Sequence, residues 1–136
     1  MPPDDARLHD AHAWLSKAEL DLKAAAHEMA AEGLWADVMF HAQQAAEKSM
    51  KAFLAWHDVP FRKTHNLEEL GQQCVLLDAM LAPVADQAAP LTEYAWKFRY
   101  PGETADPDRS DAEAALAAAR NVLDAILARL PKRARP

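Results

Sequence analysis

The stretch His41-Ala-Gln-Gln-Ala-Ala-Glu-Lys-Ser-Met-Lys51, set inside a longer run from Leu34 to His57, decides the fold. With side chains advancing by about 100° per residue on a helix, Val38, Met39, Ala42, Ala45, Ala46, Met50, Phe53 and Leu54 gather on one broad side. Asp37, His41, Gln44, Lys48 and Lys51 gather on a narrow strip opposite. Burial alone accounts for the apolar side. The strip is chemically more specific: one imidazole, one amide that both donates and accepts, and two ammonium groups suit an anionic or nucleotide-like ligand. The same strip also reads as a solvated face on which Asp37–His41 and Gln44–Lys48 are ordinary i,i+4 neighbours.

Upstream, the spacing predicts a helix from about Asp10 to Ala31, with Trp14, Leu15, Ala18, Leu22, Ala25 and Met29 facing inward and Gly33 ending it. Residues 1–9, with two prolines and two aspartates, read as a disordered lead-in. The first two helices then form an antiparallel hairpin. Downstream, Pro60 stops the second helix near Asp58. The loop Pro60-Phe-Arg-Lys-Thr-His-Asn66 leads to a capping-box-like start, Asn66 with Glu69, for a third helix that buries Leu67, Leu70, Cys74, Leu77 and Leu81. Pro83 and Pro90 divide the next region into a turn and a shorter helix, about Leu91 to Phe98, stopped at Pro101-Gly102. Ser110-Asp-Ala-Glu113 reads as the capping box of a last helix that runs to about Leu130 and buries Leu116, Ala119, Leu123, Ile126, Leu127 and Leu130. Residues 10–130 thus form one domain, followed by a basic tail at 131–136. The fold class is all-α: an up-and-down bundle of four main helices plus a shorter one.

Composition narrows the function. Apolar residues make up 51% of the 136-residue chain, which contains only three glycines, a balance that favours helices. A net charge of −6 argues against general phosphate neutralisation, so no DNA partner is expected. No apolar run approaches bilayer length and no secretory leader is visible, so the expected location is the cytoplasm and no membrane partner. Cys74 has no partner for a bridge and sits at an apolar helical position. Glycine-rich phosphate loops and Ser/His/Asp nucleophile signatures are absent, and neither a metal nor a cofactor is expected; His9 and His12 with Asp5 are the nearest approach to a ligand cluster.

Three segments, the opening stretch among them, carry a resemblance. His41-x-Gln-Gln-Ala-x-Glu-Lys-x-x-Lys-Ala52, Thr64-His-Asn-Leu67 and Arg99-Tyr-Pro-Gly102 occur in that order, with Trp14, Ala18 and Asp21-Leu22 ahead of them. Together they resemble the HEPN domain family, the higher eukaryote and prokaryote nucleotide-binding domain, from about residue 10 to 130. The resemblance implies a bundle of four to five helices that forms a homodimer, with a polar cleft at or near the interface. It also implies a minimal nucleotidyltransferase as partner in a toxin–antitoxin-like pair, and in many members a metal-independent ribonuclease activity. The ribonuclease signature is an arginine followed, four to six residues on, by a histidine near the start of the last long helix.

Here Arg99 stands where that arginine is expected, but Tyr-Pro-Gly-Glu-Thr-Ala-Asp-Pro follows it with no histidine. Cleavage through the ribose 2′-hydroxyl needs a group that titrates near neutrality, which histidine supplies and arginine does not. Arg7 and His12 meet the spacing, but in the wrong part of the chain for the family's motif. The reading is therefore a nucleotide- or RNA-binding protein with Lys48, Lys51 and Arg99 on phosphate and His41, Gln44 and Tyr100 on base or ribose. One alternative is an endoribonuclease that uses Arg99 with His65 or His41. Another is a non-catalytic interaction module whose polar strip is merely solvated; residue by residue, the structural alternatives are that Tyr100 packs under its loop, Arg99 pairs with Glu103 and Glu47 pairs with Lys51.

Overall fold

The computed structural model describes residues 3–102 and 105–136 and contains five α-helices with three short 3-10 segments; no strand occurs among the described residues. Helices α1 (Pro3–Met29) and α2 (Trp35–Trp56) form the expected hairpin, closed by a turn through Gly33, whose φ of 89° favours glycine. Helix α2 is the central element, packed along α1, α5 (Arg109–Leu127), α3 (Leu67–Leu77) and the 3-10 segment Ala89–Ala95. Alanines at 11, 18 and 25 on α1, at 42, 45, 46 and 52 on α2, and at 112, 115, 118 and 119 on α5 are all buried. Such small residues let helix axes approach closely, while Leu15, Met39, Phe53, Leu54 and Ile126 fill the remaining space.

Four boundaries differ from expectation, each for a local reason. Helix α1 begins at Pro3 rather than near Asp10, so residues 4–9 are helical rather than a disordered lead-in. Proline suits a first helical position, Asp4 and Asp5 complement the helix dipole, and Asp4 pairs with Arg7, whose guanidinium lies 5.0 Å from the Trp56 ring centre. The region after Asp78 is a 3-10 turn (Ala79–Leu81), a helix α4 (Ala82–Ala88) and the 3-10 segment Ala89–Ala95, in place of one helix from Leu91 to Phe98. Pro83 and Pro90 each sit in the first positions of a segment and open it rather than separating it from a neighbour. Helix α5 is capped by Asp108, in a reciprocal box with Asp111, instead of by Ser110 and Glu113. Leu77, expected inward, is 40% exposed because α3 ends there.

Other expectations hold. Asn66 caps α3 by accepting from the backbone N–H groups of Glu68 and Glu69 at 3.0 and 3.2 Å, although Glu69 itself turns to Arg62. Helix α2 ends at Trp56, and Asp58 adopts a φ of 56° before Pro60. Cys74 is buried, which pushes its thiol up to about 12 and keeps it unreactive. The basic tail contains a 3-10 turn, Lys132–Ala134, with Ala134 buried and its carbonyl 3.1 Å from His12 Nδ1.

Candidate functional site

Apart from the exposed Asp37, the polar strip of α2 faces protein rather than open solvent. Asp21 and Glu28 lie seven residues apart on α1, as do His41 and Lys48 on α2, so in an antiparallel pair the two sets meet. His41 Nδ1 is 2.9 Å from Asp21 Oδ1, and Lys48 Nζ donates to Asp21 Oδ2 at 2.6 Å. The other ring nitrogen of His41 is 3.3 Å from Glu28. Asp21 is only 8% exposed, so these partners are what makes its burial tolerable. Burial holds the Glu28 carboxyl above the usual carboxylate range, a tendency opposed by His41 and reinforced by the charge of Asp37 and by a hydrogen bond with it.

One turn further along, Lys51 Nζ donates to Glu47 Oε2 at 3.0 Å, with both side chains under a tenth exposed. The ammonium also lies 5.3 and 5.7 Å from the ring centres of Trp14 and Phe61. The second oxygen of Glu47 is 2.7 Å from His65 Nδ1, and Gln43 donates to that oxygen at 3.3 Å and to the His65 carbonyl at 3.0 Å. Gln44 donates to the Gln43 side-chain oxygen at 2.7 Å. The positive charge of Lys51 is therefore spent inside the fold, while His65, itself exposed, reaches the same Glu47 from the surface.

Arg99 finds different company. The chain turns after Trp96, and Arg99 comes to rest with its guanidinium carbon 5.1 Å from the Phe40 ring centre. Phe40, His41, Asp37 and Ala36 on α2, with Tyr94, Phe98 and Arg99 opposite, enclose a cleft of about 390 Å³. The Tyr94 and Phe98 rings stack at 5.7 Å with 19° between their planes. Burial, ahead of the nearby Glu93 charge, raises the Tyr94 hydroxyl, so it stays a neutral donor and acceptor.

Of the sequence-predicted residues, the fold thus brings His41 and Arg99 to one cavity. Lys48 and Gln44 do not line it; Lys51 and the exposed His65 meet instead on Glu47, away from the cavity. Tyr100 is 80% exposed and does not pack under its loop, while Glu103, the alternative partner of Arg99, falls outside the described residues. Sequence reasoning missed Phe40, Tyr94 and Phe98 as cleft walls. The i,i+4 spacing of Tyr94 and Phe98 was the available signal, but nothing local tied Phe40 to them. The two most voluminous of the other depressions, about 630 Å³ between α1 and α5 and about 580 Å³ between α3 and α4, carry no comparable set. The first is lined by scattered charges of both signs and the second is largely apolar. Among the described residues no group of three or more metal-ligating side chains occurs, and no helix is long and apolar enough to cross a membrane.

Comparison with known proteins places this geometry in context. The HEPN domain model matches residues 11–130. The fold is similar to the crystal structure of an archaeal HEPN homologue, with a TM-score of 0.70 and 23% identity, over 88% of this chain and 96% of that one. No curated protein matches the sequence.

Proposed function

The chain belongs to the HEPN domain family, and on that premise we propose that it binds a nucleotide or an RNA segment in the cleft between α2 and Arg99. The observation that carries the reading is the meeting of Arg99, His41 and three aromatic rings in one cavity of about 390 Å³. Ligand pockets span about 300–1,000 Å³, so this one holds a mononucleotide-sized group. The guanidinium offers a planar fork to a phosphate, and the rings offer faces to a base. Tyr100, exposed beside Arg99, extends the surface along which a longer RNA would run.

Binding without cleavage is the reading the chemistry favours. Arg99 cannot take a proton near neutrality. His41, the one histidine in the cleft lining, already has a carboxylate oxygen within 2.9 Å of one ring nitrogen and within 3.3 Å of the other. In the cell the protein acts as a cytoplasmic homodimer paired with a minimal nucleotidyltransferase in a toxin–antitoxin-like system, a role that follows from family analogy.

Calorimetry with AMP, ATP and short RNAs tests the binding. At least one of them should bind, and Arg99→Ala should weaken it about tenfold or more, since a hydrogen bond to a charged group is worth about 1.5–3 kcal/mol. Absence of heat with every ligand would defeat the reading and favour an interaction module. The ribonuclease alternative draws support from His41 sharing the cleft with Arg99. Cleavage of labelled RNA that disappears in both Arg99→Ala and His41→Ala would establish it instead.

A further inference from the structure

The cleft is not uniformly cationic. Its α2 wall carries Asp37, an exposed carboxylate in the first turn of the helix, while Arg99 stands on the opposite wall. A pocket built only to neutralise phosphate gains nothing from a carboxylate in its lining, because like charges repel. The two charges fit a ligand that presents N–H donors at one end and a phosphate at the other. Asp37 has a structural use as well, since an acid in the first turn complements the helix dipole. That use is satisfied at any outward direction of the side chain and does not require Asp37 to line a cavity.

Resting on the nucleotide reading above, we propose that the preferred ligand is a guanine nucleotide, its Watson–Crick edge on Asp37 and its phosphate on Arg99. A carboxylate has two oxygens side by side and accepts only. Guanine alone among the four RNA bases offers two adjacent parallel donors, N1–H and the 2-amino group, that match both oxygens. Adenine and cytosine offer one amino donor beside a ring nitrogen that accepts, which would meet the second oxygen with repulsion. Uracil offers a single N–H flanked by two carbonyls. Charge-assisted bidentate pairs of this kind are the strong and selective ones.

The neighbouring groups are arranged compatibly. Asp37 lies beside Glu28, whose carboxyl is held above the usual carboxylate range by burial and by the Asp37 charge. His41 is drawn toward Asp21 and Glu28 and does not compete for Asp37. Phe40, Tyr94 and Phe98 supply faces for a purine, whose larger ring system gains more from stacking than a pyrimidine.

Calorimetry of the full chain with GMP, IMP and AMP tests the assignment. GMP should bind about tenfold more tightly than AMP, with IMP, which keeps N1–H but lacks the 2-amino group, between them. Asp37→Asn, which replaces one acceptor oxygen by a donor, should abolish the preference for GMP by weakening GMP and, because the amide matches adenine's amino group and N1, strengthening AMP. Arg99→Ala should weaken both alike. Equal affinity for GMP and AMP in the unaltered protein, or a preference for GMP that survives Asp37→Asn, would overturn the guanine assignment and leave nucleotide binding standing. Failure of all three nucleotides and of short RNAs to bind would overturn both.

Discussion

At the scale of single residues, the ionic pair of Lys51 and Glu47 distinguishes this fold from a generic alanine-rich bundle. A lysine side chain only 8% exposed is tolerated because its charge meets a carboxylate at 3.0 Å and two aromatic rings. Lys51→Met removes the counter-charge and leaves the Glu47 carboxylate with only His65 and Gln43. Breaking one side of such a pair costs about 3–5 kcal/mol, so the urea midpoint should fall well below that of the native chain. The double variant Glu47→Leu with Lys51→Met should recover most of the loss, because it removes the stranded charge along with its partner. A single variant within about 1 kcal/mol of native stability would mean the pair is far wetter than its burial implies.

At the scale of elements, the helical period gave the main helices readily, because each buries one face against a neighbour. The termini were harder. Proline reads as a breaker between Leu81 and Leu91, whereas at the first positions of a segment its missing N–H costs nothing, and α4 and the 3-10 segment after it each carry one as their second residue. The start of α5 moved for a similar reason: Asp108 and Asp111 satisfy the same box pattern as Ser110 and Glu113, and local sequence does not choose between them. Asp108→Ala should therefore lower stability by about 1 kcal/mol, while Ser110→Ala should change it by a few tenths at most. Chemical denaturation of the two variants side by side checks this; equal losses would place the cap elsewhere. The candidate site was legible to the same partial degree. Periodicity put His41, Lys48 and Lys51 on one strip, but a helical wheel does not say what the strip faces. Its partners Asp21 and Glu28 lie on another helix, twenty and thirteen residues before His41. Arg99 and His41 were recognisable as chemistry, while the aromatic walls that join them depended on a turn after Trp96 that no local signal specified.

At the scale of the whole molecule, the net charge of −6 sets how an RNA or nucleotide can be held. Most cations near α2 are already paired: Lys48 with Asp21, Lys51 with Glu47 and Arg62 with Glu69. The cleft lining contributes one guanidinium, so binding should respond only weakly to salt. For single strands the slope of log K against log salt is about −0.7 per phosphate contacted, which predicts a value near −1 for short RNAs. Titrations across a range of potassium chloride concentrations would read it directly. A slope steeper than about −3 would show that several cations outside this cleft take part.

The resting contact between Arg99 and Phe40 gives the ring a role of its own. A long cationic side chain free in solvent surrenders about 0.5–1.5 kcal/mol of rotameric freedom when a ligand fixes it. Here much of that ordering is accomplished as the chain folds, before any ligand arrives. Phe40 thereby governs how fast and how firmly the guanidinium grips, without itself meeting an anion. A smaller side chain at that position would leave the charge in place and its aim lost.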